Sequence, residues 1–149
     1  MCKDVELPSI RVRNLQRAIA LKAAALEEFA VKAIRLCFNL QRAKRTDLTK
    51  LREIFVLIVS DRRMAGLHRQ FLNERGPTDV ITFSHGEIFI SAETARRHAR
   101  QFGSALTREL QLYVVHGLLH LHGFDDRNKV AARKMEAAQR RILQRASQF

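Results

Sequence analysis

His116 and His120 are the residues of this chain whose type and spacing are best suited to chemistry. Four positions apart on a helix, their rings stack on one face. Two neutral imidazoles at that spacing can hold one divalent ion. The residues after His120 extend the pattern. Gly123 is the kind of residue that ends a helix, and Asp125 and Asp126 lie just beyond it. A turn at Gly123 can bring the chain back over the histidine face and deliver a carboxylate oxygen. That would complete the three protein ligands usual in a catalytic zinc site. Asp125 and Asp126 can each supply it, and His122 is a rival. On a continuing helix, however, His122 points about 200° away from His120, which suits a supporting or surface histidine better than a ligand.

Position 117 narrows the chemistry. Zinc peptidases of the H-E-x-x-H type place a glutamate there as general base. This chain has Gly117, so peptide hydrolysis by that route lacks its base. Any hydrolysis would rest on water activated by the ion, whose pKa can fall to about 7.

The charge balance points to the partner. Lys and Arg number 27 against 15 Asp and Glu, for a net charge of +12 over 149 residues. Such a surplus sets up a positive field suited to a polyanion, of which nucleic acid is the commonest. Two segments concentrate it. Residues 41–52 carry Arg42, Lys44, Arg45, Lys50 and Arg52 and read as a loop. The last helix carries Arg133, Lys134, Arg140 and Arg141, which are candidates for contact with nucleic-acid phosphates. With one Tyr and no Trp, base stacking on aromatic platforms is limited. No stretch approaches the roughly 20 apolar residues of a membrane span. Met1 to Pro8 is charged and lacks the apolar run of a signal peptide. Cys2 and Cys37 read as free thiols. Together these features predict a cytoplasmic protein with no membrane association.

Periodicity supplies the elements that must position the histidines. Ile10 to Arg13 alternates as a half-exposed strand does. Leu26, Phe29, Ala33 and Leu36 share one face of a helix near 20–38. Ile54 to Val59 is a continuous apolar run, which reads as a buried central strand. A short helix follows, with Asp61 as N-cap, Met64, Leu67, Phe71 and Leu72 on its apolar side, and Gly76-Pro77 as its break. Asp79 to Phe83 and Glu87 to Ser91 form a hairpin around His85-Gly86. Ser91 or Glu93 opens a helix that ends near Gly103. Ser104 can cap the next, over about 105–121. From Leu112 that helix is apolar all round except for His116 and His120, so it is buried. A last helix runs from about Lys129 to Arg145, with an apolar stripe of Ala131, Met135, Ala138 and Ile142. The reading is one α+β domain over 1–149, a small mixed four-stranded sheet packed on about five helices, with the metal site at the end of a buried central helix.

The segment from His116 to Asp126 resembles the signature of the YbeY family of endoribonucleases, H-G-x-L-H-L-x-G-Y/F-D-H. It matches at every specified position but the last, where Asp126 stands. A second segment, Pro77-Thr78-Asp79-Val80-Ile81-Thr82-Phe83, is similar to the family's P-T-D-V-L-S-F, and Gly86-Glu87-Ile88 resembles its G-D-I. Element order agrees over nearly the whole chain. The resemblance implies a zinc-dependent endoribonuclease that acts on single-stranded RNA. It implies roles in ribosomal RNA maturation, 3′-end processing of the small-subunit RNA and ribosome quality control. Ribosomal RNA or a pre-ribosomal particle would be the partner, with a ribosomal protein as a further one.

Carried over position by position, the resemblance places the ligands of one Zn²⁺ at His116, His120 and Asp126. An aspartate there exchanges a neutral ligand for an anionic one. Activated water should then be less acidic, and metal preference should broaden toward manganese. The family often has an arginine five residues before P-T-D, near the metal and engaging phosphate. Here that position is Leu72, and Arg69 and Arg75 flank it as substitute candidates. Thr78 and Asp79 read as supports of the cleft. The loss of the arginine favours an alternative, a non-catalytic ribosome-assembly factor with a structural metal. A metallopeptidase is a third reading, weakened by Gly117.

Overall fold

Alternation and β-branching place the strands where the sequence predicts them. The computed structural model describes residues 6–147. In it β1 is Ser9–Asn14, β2 is Glu53–Val59, β3 is Val80–Phe83 and β4 is Glu87–Ser91. They form one sheet in the order β1-β2-β4-β3. The first three positions pair in parallel and β3 closes the far edge antiparallel to β4. The apolar run of β2 is central, as a strand covered on both faces should be. Its Ile54, Val56 and Ile58 are fully buried.

The helices are α1 (Ala23–Phe38), α2 (Asp47–Lys50), α3 (Asp61–Leu72), α4 (Ala92–Phe102), α5 (Leu106–Leu121) and α6 (Lys129–Ala146). The larger core lies between one sheet face and α1, α5 and α6, and holds Ile10, Phe29, Ile88, Leu118 and Met135. A smaller cluster of Val59, Met64, Ile81 and Phe89 fills the opposite face under α3. The second half of α5 runs through the larger core. Tyr113, Val114, Val115, Leu118, Leu119 and Leu121 are all buried, and only its two histidines reach partial exposure. No helix of the described residues is long and apolar enough to cross a membrane.

Several boundaries differ from expectation, each for a local reason. Ser60, not Asp61, caps α3: its hydroxyl accepts from the Arg63 N–H, which frees Asp61 for a tertiary role. The helix stops at Asn73 in the left-handed region, ahead of Gly76-Pro77, with the Asn73 N–H bonded to the Arg69 carbonyl. Asparagine tolerates that conformation better than other side chains do. Phe71 and Leu72 are each 54% exposed rather than core. The hairpin beneath α3 is only two short strands wide, and Phe71 reaches just the edge of Phe83, ring centroids 5.1 Å apart. Ser104 does not cap α5; Ala105 occupies that position without a side-chain bond. The loop over 41–52 contains the four-residue α2, which brings the helix count to six. Cys37 is a free thiol, fully buried, and burial pushes it up to about 12. Cys2 lies outside the described residues.

Candidate metal centre

The site begins with the packing of α5 on β4. A Cβ built on Gly117 would lie 2.7 Å and 2.9 Å from Ile88 side-chain atoms. Ile88 is itself fully buried, so making room for a larger side chain would overpack a filled core. The missing side chain therefore lets the helix sit close to the sheet, and no glutamate fits there as a general base. This close approach disposes of the peptidase chemistry on steric grounds.

At the C-terminal end of the helix His116 and His120 turn toward one another. Their Nε2 atoms are 3.0 Å apart and the rings meet edge to face. Two ligands of one tetrahedral ion at bond lengths of ~2.0–2.1 Å would be separated by about 3.3 Å, so the pair already has the spacing that an ion requires. The helix ends at His122, and Gly123 follows with φ +86°, in the region that favours glycine. The turn brings Asp126 back over the histidines. A nitrogen from each histidine and a carboxylate oxygen of Asp126 all lie within 4.8 Å of one another. Among the described residues this is the group that can hold a metal ion. Asp125 takes a different course: its Oδ1 accepts from the Arg127 N–H at 3.2 Å, an Asx turn that stabilises the loop.

The tautomers are set by the partners. Gln139 of α6 places Oε1 3.0 Å from His116 Nδ1. That oxygen can only accept, so Nδ1 carries the proton and Nε2 keeps its lone pair for the centre. Burial pushes the His120 imidazole below its ordinary pKa and neighbouring His116 lowers it further. Asp126, a hydrogen bond to the Phe124 backbone and Asp125 pull the other way without cancelling the shift. His120 is therefore neutral at pH 7, as a metal ligand must be. Gln139 carried no signal in the sequence. It lies beside the stripe residue Ala138 on a helix that otherwise reads as basic surface.

His122 is not in the converging group, and it is not a surface residue. It is 3% exposed and points away from the centre. Its Nε2 donates to the Leu40 carbonyl at 2.7 Å, so its Nδ1 accepts from the Thr46 hydroxyl at 2.9 Å. Burial lowers its pKa, which keeps that tautomer neutral. The first half of the loop over 41–52 is thereby fastened to the turn that leads to Asp126. Arg42 adds a third bond, Nη2 to the Gly123 carbonyl at 2.9 Å, with its guanidinium 3.9 Å above the Phe124 ring.

The remaining candidates lie elsewhere. Arg69 and Arg75 are exposed and share a cleft with Ala65, Gly66 and Gly76 whose lining includes none of the three converging residues. Leu72 presents an apolar side chain to solvent. Arg133, Lys134, Arg140 and Arg141 are all exposed on α6, and Arg140 pairs with Glu136 at 3.4 Å. Thr78 and Asp79 make a turn at the start of β3, the Asp79 carboxylate accepting from the Val80 N–H and the Thr78 hydroxyl and its backbone carbonyl accepting from the Ser91 N–H at 3.0 Å.

Comparison with known proteins bears on the family and the fold. The family model described as endoribonuclease YbeY matches residues 11–147. Curated relatives carrying that name include one from Bacteroides thetaiotaomicron, 37% identical over 63% of this chain and 74% of its own length. Another, from Frankia alni, is 33% identical over 62% of each chain. The solution structure of a Thermotoga maritima protein superposes with a TM-score of 0.63 at 26% identity, covering 92% of this chain and 88% of the other. A match over residues 11–147, on a fold that draws two histidines and an aspartate together at the end of a buried helix, places this chain in the YbeY family of endoribonucleases.

Proposed function

We propose that the chain acts as a zinc-dependent endoribonuclease, a single domain over residues 1–149, with His116, His120 and Asp126 as the ligands of one Zn²⁺. Its substrate would be single-stranded RNA in the maturation of ribosomal RNA, at the 3′ end of the small-subunit RNA, in the cytoplasm. The observation that carries the reading is the convergence of the two Nε2 atoms with the Asp126 carboxylate, His116 being oriented in advance by Gln139. Two imidazoles and a carboxylate form a set that suits zinc and leaves a position free.

A bound ion would supply Lewis acidity, stabilising charge on the phosphoryl oxygens and making nearby water more acidic. The side chains have separate tasks. Gln139 holds the His116 ring in its useful tautomer. Burial keeps His120 unprotonated. Asp126 is exposed, so the centre is open toward solvent and an RNA strand can approach from that side. Arg133, Lys134, Arg140 and Arg141 would hold the phosphate backbone. With few aromatic platforms, specificity would come from the fold of a pre-ribosomal particle or from a ribosomal protein bound beside it. Arg69 and Arg75 receive no role in this scheme.

The test combines metal content with RNA cleavage. Elemental analysis of unchelated protein should find about one zinc per chain. Cleavage of single-stranded RNA should be abolished by a chelator and restored by zinc. Asp126→Ala should weaken metal affinity, and Asp126→His should keep or raise it; equal affinity in all three proteins would remove Asp126 from the ligand set. RNA or ribosome binding without cleavage under any metal would favour the assembly-factor alternative. The exposed apolar Leu72, standing where the family often has an arginine, is the feature on that side.

A further inference from the structure

Arg42 is exposed, yet its pose is fixed. The guanidinium lies on the Phe124 ring and donates one bond to the Gly123 carbonyl. A guanidinium has five N–H donors, so most remain for another acceptor. His122 grips Leu40 on one side of Arg42 and Thr46 on the other, which holds this stretch of loop against the turn.

Two cavities meet at Arg42 and Gly123. One, of about 650 Å³, is walled by Phe124, Lys129 and Lys134. The other, of about 410 Å³, is walled by Lys44, Arg45 and Leu121. Each has one acidic residue on its wall, Asp125 in the first and Asp47 in the second. The Asp125 carboxylate is engaged by the Arg127 N–H. Among the described residues Arg42, Lys44, Arg45, Lys129 and Lys134 make no ion pair. Five unpaired cations therefore flank the turn that joins His120 to Asp126.

We infer that these two basins are a track for consecutive backbone phosphates of single-stranded RNA, with Arg42 at the join, beside the turn at Gly123 that leads to Asp126. The inference rests on the endoribonuclease reading for its choice of RNA as occupant. Arg42 acts on the phosphate directly through its free N–H groups. Lys129 and Lys134 attract the strand in the first basin, and Lys44 and Arg45 do so in the second.

The test measures binding of the full chain, as purified, to a single-stranded DNA dodecamer that offers the same phosphodiester charge without the 2′-hydroxyl of an RNA substrate. Arg42→Met keeps an apolar stem on Phe124 and removes the charge. Lys134→Gln removes a charge from a side chain that makes no hydrogen bond or ion pair among the described residues. Each should raise Kd about five- to tenfold and lower the magnitude of the slope of log K against log salt by about 0.7, one single-strand phosphate contact. Arg42→Lys should recover most of the slope, which a purely structural role for the guanidinium would not allow. On cleavable RNA, Arg42→Met should raise KM more than it lowers kcat. Unchanged Kd and slope in both variants would overturn the track. So would an equal loss from Arg13→Gln on the edge strand β1, which would mark a diffuse field. If the wild type binds with the expected slope changes but cuts no RNA, the nuclease reading fails while the track stands. If it cuts RNA and both variants match it, the reverse holds.

Discussion

At the scale of single residues, the centre depends on two residues that are not among its converging donors. Gln139 fixes which nitrogen of His116 faces inward. Replacing it by alanine should weaken zinc affinity about 10- to 100-fold, the usual effect of removing a partner behind a ligating histidine. Gln139→Glu, which keeps the acceptor and adds charge, should hold or raise affinity. Competition with a chromogenic chelator measures both, and an unchanged alanine variant would mean that the bond has no part in orienting the ring. Gly117 acts by absence. Gly117→Ala drives a methyl group into Ile88 and should cost about 1–3 kcal/mol, the range for overpacking a filled core. The denaturation midpoint of the variant reads this directly, with Gly117→Glu expected not to fold.

At the scale of elements, the starts of α3 and α4 are locked together. Asp61, the first residue of α3, accepts from the Ser91 and Thr94 hydroxyls through Oδ1 and pairs with Arg97 through Oδ2. Glu93 of α4 returns the contact by accepting from the Asp61 N–H. Burial by itself would raise the Asp61 pKa, but the hydrogen bonds from Arg97, Ser91 and Thr94 and the charge of Arg97 outweigh it and hold the carboxyl below its ordinary value. A depressed carboxylate pKa stabilises the fold above the unfolded value of about 3.9 and loses that contribution as pH falls through the lower folded value. Asp61→Asn should therefore cost about 2 kcal/mol at neutral pH, and the gap between variant and wild type should narrow in acid below about pH 4. A constant gap across that range would mean that the ionised carboxylate is not what binds the two helices.

The same elements show what was legible in the sequence. Strand and helix positions follow from local periodicity, so β2, α5 and α6 stand where their apolar patterns put them. The His116/His120 pair is legible because its spacing is a helical repeat. The Asp61 lock, the Gln139 bond and the His122 grip are not, because they join residues distant in sequence — 30 apart for Asp61 and Ser91, 82 for His122 and Leu40 — and depend on tertiary approach. Phe71 and Leu72 misled because an apolar residue on a short helix implies a surface to cover it, and the narrow hairpin beneath α3 supplies little.

At the scale of the whole molecule, the net charge is +12, and exposed cations stand on β1 and α3 as well as on the loop beside the centre and the outer face of α6. Replacing Arg133, Arg140 and Arg141 together by alanine should weaken RNA binding and flatten its salt dependence, with log K remaining linear in log salt. Zinc content should stay that of the wild type, because none of the three side chains is bonded to His116, His120 or Gln139. Loss of zinc in the triple variant would show that α6 had been displaced rather than merely discharged. The reach of Gln139 into the centre has another consequence, for the order in which this molecule is made. A chain growing from its N-terminus presents both histidines, and then Asp126, before the residue that sets the ring of His116 has been synthesised. Until α6 has left the exit tunnel and closed over α5, the nascent chain holds its metal donors without the partner that aims them. On the proposed reading, the endoribonuclease centre is thereby kept unfinished for most of the time the chain is tethered to the ribosome that is building it.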